Sequence, residues 1–390
     1  MNGKLKEHIR NILTLRYDPL EKPFIKTTKY KEWIPAIYET TAITLERKLF
    51  QALTGLENHN KIGIALSSGI DSVLLLALIR HMYPNKEIVA IHYVGMNNEL
   101  IDARNFAESY DARFVEVRLD SVLDTLQWQV SVTQEPMWDA FDYVVYETAK
   151  NLGCDIVIDG SGADELFGGY IFRYKDFNPT SSSTEARFYG YMDVHNRDWV
   201  DDQAHMFGPE IPFEWNMIKE LLLDQFANPL DMICQIFMAD YNGKLAHLFT
   251  KKQARFQNVY TIPIMSPYLH PPVAEYGMRL DPALKIIGDV GKIPLRQIAA
   301  RYDIIPTTRK LGFSHNTVKE WNDPLYHDEA MEDITDPNCQ MFTNGIISYE
   351  WVMRHTKSEQ STQNVRYVNK FFQLLALEQW LRRRMQLGYY

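Results

Sequence analysis

The stretch Lys61–Ile79, KIGIALSSGIDSVLLLALI, constrains the fold most, because an alternating apolar run, a loop of small residues and a continuous apolar run follow one another directly. The alternation from Ile62 to Leu66 predicts a buried strand, and Ser67–Gly69 removes side-chain bulk where the chain turns into a predicted helix. Small residues let backbone N–H groups approach an anion, and a helix start adds unpaired donors. The stretch therefore predicts a strand, a phosphate-binding loop and a helix.

Asp71 stands at the start of that predicted helix, beside the proposed phosphate. A carboxylate is repelled by a polyphosphate unless a divalent cation lies between them. The sequence therefore predicts magnesium at Asp71.

Composition narrows the class of protein and of partner. The 390 residues are 46% hydrophobic, which suffices for one large or two modest domain cores. Lys and Arg number 41 against 50 Asp and Glu, without a long basic run, so we expect no nucleic-acid partner. Three widely spaced cysteines suggest neither disulfides nor zinc, and no apolar run is long enough for a membrane span. We expect a cytoplasmic protein with no membrane partner.

Predicted strands and helices alternate from Lys61 to Tyr170. After the first strand, the predicted strands are Glu87–Val94, Arg113–Val117 and Asp155–Ile158, and the predicted helices include Glu99–Tyr110 and Trp138–Leu152. This alternation predicts an α/β fold with a doubly wound, mostly parallel sheet that binds ligands at the carboxyl ends of its strands.

Two motifs carry a resemblance to a known family. Ser67–Ser72 resembles the SGGxDS loop of the N-type ATP pyrophosphatases (PP-loop superfamily), with Ser68 at the first glycine. Asp159–Tyr170, DGSGADELFGGY, resembles the SGEGADELFGGY signature of asparagine synthetases. The chain is thus similar to the synthetase domain of that family from about Thr41 to its C-terminus, which implies cleavage of ATP between the α- and β-phosphates.

The resemblance also implies a domain organisation. We expect an N-terminal arm and helix over residues 1–58, an ATP-binding domain over 59–320, and a helical C-terminal part of the same domain over 321–390. Residues 176–215 read as a surface excursion, either a lid or an inert loop, in which His195 and His205 are solvated. Asn2 stands where the glutaminase domain of the family has its cysteine, so nitrogen is expected from ammonia, another amine or a separate glutaminase.

The implied site residues fall into three groups. The ATP-binding group is Leu66, Ser67, Ser68, Gly69, Asp71, Ser72, Val94, Gly160, Lys292 and Lys310. The magnesium ligands are Asp71, Asp164 and Glu165, and the catalytic group is Lys310, Asp71, Asp164 and Ser161. Lys292 lies in GKIPLR, which is similar to the family's GKYLLR, and Lys310 lies in KLGF, which matches its KxGF. The relatives place the second lysine on the departing pyrophosphate.

Several positions depart from the family pattern on the acceptor side. They are Ser161, where synthetases have glutamate, and Ala254, Ile264, Met265 and His270 in the stretch that resembles LLxRxDR and PFL. These changes indicate either a changed substrate or altered packing alone.

The leading hypothesis is an ATP-dependent, AMP-forming amide ligase. It adenylates a small carboxylate, aspartate being the family default, and transfers the acyl group to ammonia or an amine. One alternative is an intramolecular amide-forming cyclase, as in the β-lactam or lasso-peptide synthetases. Another is a non-catalytic scaffold subunit, since Ser68 and Ser161 both depart from the family pattern.

Overall fold

The computed structural model describes residues 2–39, 42–95, 100–305 and 315–388. At its centre lies a five-stranded sheet in the order β3-β2-β1-β4-β5, and every neighbouring pair of strands is parallel. The strands are β1 (Lys61–Ala65), β2 (Glu87–Tyr93), β3 (Arg113–Val117), β4 (Ile156–Ile158) and β5 (Ile264–Met265). The predicted parallel α/β sheet is confirmed.

The strand order fixes where a ligand can bind. From β1 the chain first builds the sheet outward through β2 and β3, and it then returns to the other side of β1 with β4. A crevice opens at such a reversal, at the carboxyl ends of the two strands. Because Ser67–Ser72 follows β1 and Asp159–Tyr170 follows β4, both motifs lie at this switch point.

Helices cover both faces of the sheet. Those up to the second motif are Gly3–Leu15, Ala42–Leu53, Ile70–Met82, Leu100–Ser109, Leu126–Thr133, Tyr143–Asn151, Ala163–Phe167 and Ile171–Asp176. The helix expected over Trp138–Leu152 thus begins later, at Tyr143, although Val144, Val145 and Ala149 of its predicted apolar stripe are buried.

The remaining helices form the middle and C-terminal parts. They are Thr184–Val194, Gln203–Met206, Trp215–Phe226, Met232–Asp240, Thr250–Tyr260, Pro271–Arg279, Pro282–Lys285, Ile293–Ala299, Thr317–Trp321, Pro324–Thr335, Gln340–Thr343, Tyr349–Thr356, Glu359–Thr362 and Val365–Gln386. A π-helix spans Tyr241–Phe249, and 3-10 turns lie at Tyr30–Trp33, Leu56–Asn58, Pro267–Leu269 and Ala300–Tyr302. Across the four described ranges, no helix combines the length and apolar character that crossing a bilayer requires.

The sheet divides the core into two clusters because successive strand side chains point to opposite faces. Ile62, Ile64 and Ile158 pack with the helix Ile70–Met82 on one face. Val89 and Val157 pack on the other face with the helix Tyr143–Asn151 and with the N- and C-terminal helices. The sheet is therefore buried on both sides, as a doubly wound fold requires.

The stretch 176–215 differs from the surface excursion that the sequence suggested. Its helix Thr184–Val194 buries Phe188, Tyr191 and Met192, so the stretch is part of the core. His195 is also buried, with Nε2 3.0 Å from Oδ1 of Asp240, whereas His205 is exposed as expected. Phe188, Tyr191 and Met192 have helical spacing, but Tyr189 on the same helix is exposed, so the sequence shows no clear apolar stripe.

The N-terminal arm contains a buried helix that the sequence did not predict. The helix Gly3–Leu15 fully buries Ile9 and Leu13, and Nε2 of Gln373 in the C-terminal helix donates to the carbonyl of Ile12 at 2.8 Å. The first helix is therefore built into the core and tied to the last one.

Buried ion pairs join this N-terminal segment to the rest of the chain. His8 donates from Nδ1 to Asp18 at 3.0 Å and from Nε2 to Glu135 at 2.9 Å, and the ammonium of Lys251 pairs with Glu21 and Glu135. Although atoms of His8, Asp18 and Glu21 cluster within 4.8 Å, both nitrogens of His8 are engaged as donors. The group is therefore an ion-pair network and lacks a free nitrogen for a metal.

This network predicts a pH-dependent stability. Burial alone would lower the pKa of His8, but the bonds to Asp18 and Glu135 outweigh it and raise the pKa to about 9. A raised pKa stabilises the fold fully below the unfolded value of about 6.5, and the gain is lost as the pH rises through the folded value. We expect urea denaturation to show up to about 3 kcal/mol less stability near pH 10 than near pH 6 from this group.

The variant His8→Gln isolates that contribution. Its unfolding free energy should fall less between the two pH values than that of the unmodified protein. An equal fall in both proteins would mean that His8 is not charged in the folded state.

Candidate active site

The loop after β1 is held by its own serine hydroxyls. The N–H of Ser67 donates to Oγ of Ser72 at 3.0 Å, and the N–H of Gly69 donates to Oγ of Ser67 at 3.1 Å. The two hydroxyl oxygens lie 3.1 Å apart, and Ser68 between them is buried. The serines expected to contact phosphate therefore also set the shape of the loop at the start of the helix Ile70–Met82.

The loop after β4 lies directly against it. A Cβ atom added to Gly160 would lie 3.4 Å from Cβ of Asp71, so the second motif touches the first at a position that only a small residue leaves open. Oη of Tyr268 donates to the carbonyl of Asp71 at 2.9 Å, which fixes the backbone there. The predicted meeting of the two motifs is observed.

Asp71 and Asp164 converge on one ammonium group. Nζ of Lys292 lies 2.6 Å from Oδ1 of Asp164 and also pairs with Oδ2 of Asp71. Lys292 is only 5% exposed, whereas the side chains of Asp71 and Asp164 keep 20% and 21% of their surface exposed. Burial alone would lower the pKa of Lys292, but Asp164 and Asp71 raise it, and the side chain is fully charged.

The backbone around Lys292 explains how it reaches both carboxylates. Lys292 adopts a left-handed conformation, with φ of 58°, and its N–H donates to the carbonyl of Phe167 at 3.1 Å. Gly169 has no side chain, and a Cβ there would overlap both the carboxylate of Asp164 and Cε of Lys292. The second glycine of the GGY sequence therefore makes room for the triad, in addition to forming a turn.

The donor set of this triad fits magnesium. Two carboxylates from neighbouring strand ends already enclose a cationic group, and magnesium is usually bound by one or two carboxylates together with phosphate oxygens and water. Asp71 and Asp164 are therefore able to hold the ion that the sequence predicted.

Glu165, the third predicted metal ligand, lies in a different setting. Its carboxylate is buried and accepts a hydrogen bond from Oη of Tyr170 at 2.7 Å. Burial, with a smaller contribution from Asp164, raises the pKa of Glu165 to about 7. Among the described residues it forms no ion pair with Lys292, and its role as a metal ligand stays a prediction.

Ser161 is held by one acceptor and one donor. Its N–H donates to Oδ1 of Asp159 at 2.7 Å, and its Oγ accepts from Nε2 of Gln253 at 3.0 Å. Gln253 was not among the predicted site residues. It lies in the stretch LFTKKQAR, which resembles the family's LLxRxDR helix. The acceptor-side position thus presents a hydroxyl and an amide where relatives present a carboxylate.

The structure describes only part of the region expected to border the adenine. His92 donates from Nδ1 to the carbonyl of Leu66 at 2.9 Å, which joins the end of β1 to β2, while Val94 follows the end of β2. Lys310 lies outside the described residues. The chain resumes at His315, whose Nδ1 is 3.2 Å from Oη of Tyr93 at the end of β2.

Comparisons with known proteins agree with this geometry. The family model for asparagine synthase matches residues 45–382. The curated protein "Putative asparagine synthetase (glutamine-hydrolyzing) 1" of Methanocaldococcus jannaschii is 27% identical over 192 residues, which are 46% of this chain and 33% of that protein. The chain therefore spans about a third of the length of this curated relative.

Two solved structures show limited similarity. The ammonia-dependent NAD synthetase of Campylobacter jejuni, solved with a nitrate ion, is 19% identical with a TM-score of 0.27, covering 34% of this chain and 62% of that one. The NMN synthetase of Francisella tularensis is 14% identical with a TM-score of 0.27, covering 57% of this chain and 94% of that one. Because the family model matches most of the sequence, the chain belongs to the asparagine synthase family.

Proposed function

We propose that this chain is an ATP-dependent, AMP-forming ligase. An oxygen of a substrate carboxylate attacks the α-phosphorus, the bond to the β-phosphate breaks, and pyrophosphate leaves. A nitrogen nucleophile then attacks the acyl carbon and AMP leaves. The observation that carries the proposal is the convergence of Asp71 and Asp164, from the ends of β1 and β4, on a single cationic position.

The residues divide this work by charge and position. The loop Ser67–Gly69, whose shape is set by the Ser67 and Ser72 hydroxyls, binds the pyrophosphate part of ATP. Leu66, Val94 and Gly160 border the nucleotide. Asp71 and Asp164 would hold magnesium, which would supply positive charge against the charge that develops on the leaving group. Lys310 neutralises the same charge, as the family resemblance implies.

The nitrogen nucleophile is proposed to arrive without its extra proton. The hydroxyl of Ser161 cannot accept a proton near neutral pH. Two other routes are a substitute carboxylate, Glu135 or Glu165, and adenylation as the whole activity. Glu135 pairs with His8 and Lys251, and because these partners outweigh burial and lower its pKa, it is a weak base. Burial raises the pKa of Glu165 to about 7, so it is the carboxylate to examine if the pH profile calls for a base. Ammonia or a small amine in its neutral form needs no such base, and a separate glutaminase is one source of ammonia. Aspartate is the first carboxylate to test.

The experiment is pyrophosphate exchange into ATP with magnesium and a panel of carboxylates, followed by measurement of AMP with each amine. We expect exchange that depends on one carboxylate, and AMP formation that then depends on an amine. An intramolecular cyclase would form AMP without any added amine. If no combination of carboxylate and amine gives pyrophosphate exchange or AMP, the result favours the non-catalytic scaffold.

Ser161→Glu tests the choice of nucleophile. In the unmodified protein the rate should climb with pH as the free-base fraction of the amine rises. A carboxylate beside Gln253 should flatten that climb and raise the rate at neutral pH about tenfold, short of the 10²–10⁴ typical of established general bases.

Ser161→Gln is the matched control, because the glutamine side chain has nearly the same size and shape as glutamate but cannot accept a proton. Its pH profile should keep the slope of the unmodified protein. A profile that levels off well below the pKa of the amine, in all three proteins, would reveal a base elsewhere in the chain.

A further inference from the structure

The ammonium of Lys292 occupies the position that a divalent cation shared by Asp71 and Asp164 needs. We propose that Lys292 is a built-in counter-ion: it competes with the divalent cation for the two carboxylates and releases them when nucleotide phosphate offers it another anion. This inference rests on the proposed function, since it takes the two carboxylates as the metal ligands. It adds a link between metal binding and nucleotide binding.

Distances make the two cations mutually exclusive. Nζ of Lys292 is 2.6 Å from Oδ1 of Asp164 and is still closer to Oδ2 of Asp71. Magnesium binds carboxylate oxygens at about 2.0–2.1 Å, so an ion bound to both oxygens would overlap the ammonium. Two like charges at such a separation in a buried site also repel strongly.

The side chain is able to move while its backbone stays in place. The N–H of Lys292 is bonded to Phe167, and its carbonyl accepts from the N–H of Arg296 at 3.0 Å. Gly291 packs so closely on the carbonyl of Gly168 that a Cβ there would overlap it. The exchange is therefore a rotation of one long side chain about a fixed backbone anchor.

The consequence is reciprocal coupling. When nucleotide phosphate takes the ammonium, the carboxylates are freed and metal affinity rises; by linkage, the metal raises nucleotide affinity by the same factor. Without nucleotide, Lys292 competes for the two carboxylates and lowers their affinity for the metal.

The test is titration of the full chain with Mn²⁺ in the absence of nucleotide, with free Mn²⁺ measured by electron paramagnetic resonance. Lys292→Met should bind Mn²⁺ at least about tenfold more tightly than the unmodified protein, because the competing charge is gone. Lys292→Arg, which keeps the charge, should bind weakly. Lys175→Met removes a half-exposed lysine that pairs with Asp289 and should leave the affinity unchanged.

Calorimetry covers the case in which Lys292→Met folds poorly, since it leaves two carboxylates close together. Mn²⁺ should then raise its melting temperature more than that of the unmodified protein. Asp71→Asn combined with Lys292→Met should remove the gain in affinity, which assigns it to this site. Equal or weaker Mn²⁺ binding by Lys292→Met, with no greater thermal shift, overturns the inference.

Failure of the two proposals can be told apart. Tighter Mn²⁺ binding by Lys292→Met with no AMP from any substrate would uphold the counter-ion and reject the ligase. AMP formation without that change in Mn²⁺ affinity would uphold the ligase and reject the counter-ion.

Discussion

Replacing Asp71 or Asp164 with Asn is expected to reduce pyrophosphate release at least about 1,000-fold. Each substitution removes one of the two negative charges that converge at the switch point, and an amide oxygen is a poor substitute for a carboxylate toward a hard divalent cation. Both carboxylates pair with Lys292, and their side chains keep 20% and 21% of their surface exposed. The fold should therefore survive, and the loss should appear in the chemical step.

Pyrophosphate release and far-ultraviolet circular dichroism should be measured on the same preparations. Asp102→Asn is the matched control, because Asp102 is an exposed aspartate on the helix Leu100–Ser109 and its replacement should leave the rate unchanged. Near-normal turnover of either site variant at saturating magnesium would show that the metal is bound elsewhere.

Lys310→Ala is expected to lower turnover about 100-fold or more while changing the Michaelis constant for ATP little. A compact ammonium stabilises charge that appears on pyrophosphate only as the bond breaks, so its removal affects the transition state more than the bound substrate. The next described residue after Lys310 is His315. His315 contacts Tyr93 at the end of β2 and is tied to Glu320, which also accepts from Ser121 at 2.7 Å.

Steady-state kinetics with varied ATP separates the two effects. Lys319→Ala, at an exposed lysine on the helix Thr317–Trp321, is the control and should behave like the unmodified protein. A rise in the Michaelis constant with unchanged turnover would assign Lys310 to ground-state binding.

The sequence signals for the two loops are local. A strand that ends in small residues, followed by a helix, places its loop at the carboxyl edge of the sheet wherever the rest of the chain goes. Two such units were enough to predict that Asp71 and Asp164 meet. The family resemblance identified Lys292 as a nucleotide residue.

The partners of these residues depend on distant packing and were beyond pattern analysis. The ion pairs of Lys292 require a left-handed backbone and the missing side chain of Gly169, neither of which leaves a periodic signal. Gln253 reaches Ser161 across 92 positions of sequence. The helix Thr184–Val194 was missed because Tyr189 is exposed while Phe188, Tyr191 and Met192 are buried, so aromatic residues lie on both sides of the helix.

Buried ion pairs join the N-terminal segment to the part of the chain that the family model matches. Family likeness begins at residue 45, yet His8 and Glu21 lie before it and pair with Glu135 and Lys251, respectively, which lie within it. Lys251 is on the same helix as Gln253, the partner of Ser161. Substitutions in the first helix and on the acceptor side should therefore be inherited together, and grafting either part alone into a relative would bury unmatched charge.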